Sequence, residues 1–307
     1  MPLRLTSFVL FAALSTATPL LQAQSTPPGY PEVGAPAIVT LSAPGAEPRR
    51  ALRYSFTKGH QDQMSMTMAM GMAMDMQGMA LPSIDLPTAH MKATMTTNDV
   101  SGTGDASITA VLDGMTWDAG GDPTILALLQ SAGDVKGLTY TVSMSRRGIM
   151  GKTDLDLSKI ANPQLAQIMG SMSSSLQSLS LPLPDEPVGL GAKWEVRQAL
   201  STGMRMYQRV QAELTAVTDH DCMIKVTVSQ MAPPQAVSNP ALPAGIQASL
   251  DKLEGSGAGT MTIRFDSVVP TSEMSSRTAT TMSMDAGTGV QQIALTATLK
   301  MSVAPVK

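Results

Sequence analysis

Every second residue from 64 to 76 is methionine: Met64, Met66, Met68, Met70, Met72, Met74 and Met76. Between them stand Ser65, Thr67, Ala69, Gly71, Ala73 and Asp75, all small or polar. A period of two places the seven thioethers on one face of a β-strand. On an α-helix the same spacing would scatter them around the whole circumference and leave no polar face. The stretch predicts one long strand carrying a flexible apolar stripe. At ~3.3 Å per residue it spans about 45–50 Å, longer than most strands. Gly71 is the natural place for it to bend.

Alternation recurs along the chain. Residues 51–56 read as a short strand ending at Lys58-Gly59, and residues 79–87, with two prolines, as a loop. Ala89, Met91, Ala93 and Met95 alternate with polar residues. Residues 98–104 form a turn, and the return strand closes at Asp113-Gly114, a strong turn dipeptide. Asp122-Pro123 and Asn162-Pro163 are helix starts, with Asp or Asn as N-cap and Pro at the first helical position. After the second, Leu165, Ile168, Met169, Met172, Leu176 and Leu179 follow at steps of three and four, an amphipathic helix that needs a sheet face to pack on. Further strands read near 138–157, 194–200, 206–217, 222–228, 260–268, 278–284 and 290–303. The expected fold is α+β: a curved antiparallel half-barrel of about a dozen strands with two helices on one face.

Three prolines and two glycines make residues 181–191 irregular, so we read 181–193 as a connector between a first β-rich half (36–180) and a second (194–307). Both halves carry a Gly-rich element, at 101–104 and 255–259, a hint of duplication. Residues 1–23 read as a secretory signal: Arg4 gives the positive start, 5–21 the apolar run, and Ala23 the small residue before a cut. Residues 24–35, rich in Pro and Gly, read as a tether. No other stretch approaches the ~18–20 uninterrupted apolar residues of a membrane span. An exported protein, periplasmic or secreted, is the expectation.

Aromatic residues are 3% of the chain and charged residues 15%, with a formal net charge of −3. Neither a basic footprint nor stacking platforms for nucleic acid are present. The single Cys222 opens a strand pattern and reads as a buried, inert thiol. The three histidines, His60, His90 and His220, lack zinc-type spacing and read as surface or turn residues. Asp185-Glu186 reads as a solvated pair in a proline loop. The Gly255-Ser256-Gly257-Ala258-Gly259 run precedes a strand pattern, so no helix N-terminus awaits a phosphate. No nucleophile elbow occurs. The expectation is a non-enzymatic protein without cofactor.

The segment Pro184-Asp185-Glu186-Pro187-Val188-Gly189-Leu190-Gly191-Ala192-Lys193-Trp194 resembles a Pro-Asp-x-Pro-Val-x-x-Gly-x-x-Trp segment found between two β-rich halves in a class of secreted bacterial proteins of unknown function. The opening Leu-Arg-Tyr-Ser-Phe-Thr-Lys-Gly at 52–59, the Met-rich strand and the late Gly-Ser-Gly-Ala-Gly run fit the same class. The layout is similar to that of periplasmic lipoprotein carriers, which implies a curved sheet enclosing an apolar cavity under helices. No catalytic residue transfers from this resemblance, and fold does not fix function.

The methionine stripe itself admits several readings. One is plain packing. A second is a wall for an apolar ligand such as a lipid or acyl chain, lined by Met64, Met66, Met68, Met70, Met72, Met74, Met76, Met91, Met95, Leu165, Ile168, Met169 and Met172; flexible thioethers suit varied apolar shapes. A third is a Cu(I) site on Met66, Met68, Met70 and Met72, since thioether sulfur suits that ion. Sacrificial oxidation of exposed Met is a fourth. From a different class comes a structural or interaction module of the cell envelope without a small ligand.

Overall fold

A computed structural model of the chain describes residues 26–76, 78–118, 126, 136–156, 181–201, 204–237, 247–285 and 289–306. In chain order the strands are β1 (Ile38–Ala43), β2 (Gln61–Met76), β3 (Met79–Ala80), β4 (Ile84–Asp85), β5 (Ala89–Val100), β6 (Ala106–Trp117), β7 (Thr139–Met144), β8 (Met150–Asp156), β9 (Lys193–Ser201), β10 (Arg205–Val217), β11 (Asp221–Ala232), β12 (Gln235–Val237), β13 (Gln247–Arg264), β14 (Thr271–Asp285) and β15 (Val290–Pro305). They form one 15-stranded antiparallel sheet in the order β1-β9-β10-β11-β13-β14-β15-β2-β5-β6-β7-β8. The short strands lie off that path, β12 on β13 and β3 and β4 on β2. The sheet is open, ending at β1 and β8. The stretches on either side of residues 181–193 contribute to the same sheet, joined where β15 pairs with β2 and where β1 pairs with β9.

The α+β expectation is overturned. The described residues are 66% strand and contain no helix beyond the single residue Leu126. The stretches read as helices, 122–133 and 162–179, lie outside the described residues apart from Leu126, as does the stretch read as a signal. The physical reason lies in how the apolar face is covered. Among the described residues that cover comes from the sheet itself, which folds over at one end. Ala106 and Ile108 of β6 and Tyr140, Val142 and Met144 of β7 share a core with Trp194, Val196, Leu214, Ile224 and Ile263 from the other end of the strand order. Burying one apolar sheet face against another is a route to a core equal to laying helices on it.

Two irregular segments fill this closed end. Residues 51–56, expected as a strand, form no ladder, yet Leu52 and Tyr54 are buried. The Tyr54 amide donates to Arg146 O at 2.8 Å and the Ser55 amide to Phe265 O at 2.6 Å. Residues 181–188 run alongside. Their prolines cannot donate to a ladder, so the remaining amides are satisfied singly: Leu183 N donates to Arg147 O at 2.8 Å, while Arg50 and Val188 exchange bonds at 3.0 and 2.9 Å. Leu183 and Val188 are buried, and Trp194, 1% exposed, donates its indole N–H to Pro182 O at 3.0 Å. The Pro-Asp-x-Pro-Val-x-x-Gly-x-x-Trp segment is thus part of the core. At Gly189 a Cβ would run into the Ala46 carbonyl, so this close crossing requires glycine.

Other expectations shift for local reasons. Residues 79–87 hold β3 and β4, which pair with β2 beyond the end of β5. Asp113-Gly114 makes no turn; β6 continues to Trp117, and a register shift opposite Lys92 and Ala93 leaves Asp113 as a bulge. The 255–259 glycine run lies within β13 rather than before a strand, and a Cβ on Gly257 would come 2.9 Å from Ser276 Cβ. These glycines let β13 and β14 approach closely where the sheet bends. Gly71 leaves β2 unbroken; a Cβ there would meet Asp85 Oδ1 at 2.8 Å, so it makes room for β4.

Trp194 ties the irregular plug to β9. Trp194→Ala is expected to cost about 3–5 kcal/mol, read as a lowered urea midpoint at unchanged slope. A loss under about 1 kcal/mol would show that the plug contributes little to the core.

Candidate functional site

Strand register defines the face that carries the methionine stripe, because directly paired residues share a face. Met66 pairs with Val303 of β15 and Met91 of β5, and Met68 pairs with Met301, which in turn pairs with Met274 of β14. Met70, Met74 and Met76 pair with Leu299, Leu295 and Ile293. One further row crosses the sheet: Gln198, Gln208, Gln230, Gly255, Thr278, Ala297, Met72 and Ile84. We call this the inner face, since its residues build the cores.

The stripe is not uniform along β2. Met64 and Met66 are 9% and 2% exposed, packed with Met91, Leu112, Leu138, Val269 and Val303. Met70, Met74 and Met76 are 38%, 37% and 36% exposed, and beside them Met79, Leu81 and Ile84 are exposed as well. Met68 and Met95 are partly buried against the core, and Met72 is half-buried. Of the expected ligand wall, the structure therefore places Met64, Met66 and Met91 in packed core and leaves Met70, Met74 and Met76 open. Leu165, Ile168, Met169 and Met172 lie outside the described residues.

Asp62 marks the packed end. Its carboxylate accepts from Ser267 Oγ at 3.0 Å and from the Val268 amide at 3.1 Å, with His60 Nε2 at 3.3 Å. These bonds hold the segment after β13 against the stripe, where Val269 is 2% exposed. Sequence reasoning placed neither that segment nor the partner strand. The alternation of Ile293, Leu295, Ala297 and Leu299 was legible, but its pairing with β2 is a contact across more than 200 residues, without a local signal.

The electrostatics of the two faces differ sharply. From β9 across to β5 the inner face carries no Lys, Arg, His or Glu, and its one Asp is Asp62. Apart from Asp62 and the Trp194 indole, its hydrogen-bonding side chains are amides and hydroxyls. Gln208 is 4% exposed and its Oε1 accepts from Gln230 Nε2 at 2.7 Å. The opposite face is laced with charge, as where Glu195 holds Arg197 at 2.5 Å and Arg209 at 2.7 Å. Such half-exposed pairs add little stability, but they keep that face in water.

Among the described residues no group of three or more His, Cys, Asp and Glu is placed to hold a metal. For thioether ligation, neighbours along β2 stand about 6.5–7 Å apart, while directly paired residues stand about 4.5–5.5 Å apart. Sulfur donors are therefore better gathered across strands, at Met68, Met301 and Met274, than along Met66, Met68, Met70 and Met72. His60 lies beside Asp62, His90 Nε2 is 3.0 Å from Asp118, and His220 is exposed in a turn. Cys222 is fully buried, and burial, joined by neighbouring Asp221, pushes its thiol up to about 12. The stability gained by keeping it neutral is complete below its ordinary 9.0 and is lost as pH rises toward about 12. No helix of the described residues is long and apolar enough to cross a membrane.

Two measurements follow from this geometry. Met66→Asp should cost about 3 kcal/mol or more in urea unfolding, whereas Met74→Asp should stay within about 1 kcal/mol; equal costs would contradict the division of the stripe. At neutral pH the Cys222 thiol should resist a disulfide reagent until denaturant is added, and fast labelling of the native protein would contradict its burial.

Compared with known proteins, the chain matches no family model and no curated protein.

Proposed function

We propose that this is an exported, non-enzymatic protein that binds an apolar ligand, a lipid or acyl chain, on the open part of its methionine face. The observation that carries the reading is the change of state along β2. The same apolar stripe is packed at Met64 and Met66 and open at Met70, Met74 and Met76, beside exposed Leu81 and Ile84. Contiguous exposed apolar surface on a folded chain marks an interaction site. Met, unbranched and polarizable, adapts to more than one chain shape. The open part of the inner face, away from Asp62 at the packed end, carries no charge and offers an alkyl chain nothing to desolvate at high cost. Export rests on the 1–23 segment, and the resemblance to periplasmic lipoprotein carriers points the same way.

The test is native mass spectrometry of protein exported in a bacterial host and purified without detergent. Lipid-sized adducts are expected, retained in a Met70→Leu, Met74→Leu double variant and lost in the corresponding Asp pair. A clean mass that stays unchanged after incubation with phospholipid vesicles would overturn the reading and leave an envelope module without ligand.

One observation favours a second reading, Cu(I) held by thioethers: Met68, Met301 and Met274 stand side by side on three strands. Changing these three to Leu should abolish Cu(I) retention against a chelator while lipid adducts persist. Retention in that variant would exclude them as the site.

A further inference from the structure

We infer that the ligand is an amphiphile with an uncharged hydrogen-bonding head, an ester, amide or hydroxyl group, seated on Gln198, Gln208 and Gln230 with its chain along the row that leads to the open methionines. This inference rests on the lipid-binding reading and names the class of lipid.

Three observations carry it. The first is an amide open to a head group. Gln198 is 9% exposed, on the inner face, and its side chain makes no hydrogen bond among the described residues. It pairs in register with Gln208, whose own side chain is engaged with Gln230. The Gln198 amide nitrogen and oxygen remain within reach of solvent, so they are free to meet a head group.

The second is the surroundings. The glutamine row runs between two apolar clusters, one with Val196, Val210 and Val226, the other with Leu250 and Leu253. A polar row kept between apolar clusters has a use for its polarity. No Lys or Arg shares the face, so a carboxylate or phosphate head would be buried without a countercharge, which is far more costly than burying a neutral group.

The third is the path from that row. Beyond Gln230 the row continues through Gly255, Thr278 and Ala297 to Met72. These small residues are flanked by the larger Leu253 and Leu295 on one side and Leu299 on the other. At ~4.8 Å per strand the distance from Gln230 to Met72 is about 19 Å along the sheet, the reach of a long acyl chain. Gln230 now leans across the start of this path, its Oε1 3.0 Å from where a Gly255 Cβ would stand, so a head group displaces or joins that amide.

The experiment uses three probes of equal chain length on the full exported chain: a monoacylglycerol, a fatty-acid anion above its carboxyl titration, and an alkane. The expected order is monoacylglycerol tightest, by about ten-fold over the alkane, the worth of one or two buried hydrogen bonds, with the anion weakest. Gln198→Met should erase the preference for the monoacylglycerol over the alkane while the urea transition stays where it is in the unaltered protein. Thr278→Val, on the path of the chain and outside the seat of the head, serves as the control and should leave the preference in place; a loss there would move the head off the glutamines and overturn the inference. Equal affinity for monoacylglycerol and alkane, or a preference that survives Gln198→Met, overturns the inference and leaves the amide row holding water. Those outcomes spare the lipid-binding reading, whereas failure of all three probes to bind removes both.

Discussion

One largely apolar sheet face, with Asp62 its single charged side chain from β9 across to β5, has to be kept from water, and the architecture is governed by that requirement. The other charges of the long strands stand on the opposite face, with Glu195, Arg197 and Arg209 as an example. With aromatic residues at 3% of the chain, few large rings are available to cover the face. The sheet is wide enough to cover part of it by folding over, so that Val142 and Ile108 meet the core built by Trp194 and Ile224. Residues 51–56 and 181–188 close what remains of that end. The protection stops partway along the strands, since Met66 is sealed and Met74, eight residues further along β2, is not.

Packing by methionine suits such a graded face. At Met64 and Met66 flexible side chains fill irregular space beneath Val269 and against Leu112. At Met70 and Met74 the same flexibility serves an exposed wall. A single residue type thus provides core and surface on one strand, and the boundary between them is set by Asp62 and the segment it holds down, together with the end of the β5 pairing at Met68.

How much of this the sequence disclosed depends on the range of the interaction. The methionine strand, its two-residue period and the alternation of β5, β10, β11 and β15 are local facts and were readable. Cys222 at the head of β11 was readable as a buried thiol for the same reason. The pairing of β15 with β2, and the meeting of β7 with β9 and β10 in one core, are distant contacts without local signature. The fold class differs because the expected helices at 122–133 and 162–179 lie outside the described residues apart from Leu126, while the described part covers its apolar face with its own sheet, and nothing local announces that. The glutamine row was missed because Gln198, Gln208 and Gln230 lie on three strands and become a row only through register.

The place of β15 in the strand order bears on how the chain reaches this state. The latest strand in sequence lies near the middle of the sheet, between β14 and β2. Without it the path divides into β1 with β9 to β14 on one side and β2 to β8 on the other, each with a bare hydrogen-bonding edge where β15 belongs. Closure over so long a stretch of chain is entropically slow. β15 is thus the keystone of the sheet: the two edges it joins are open templates for another chain until it pairs with both, and the protein depends on that pairing to escape edge-to-edge association.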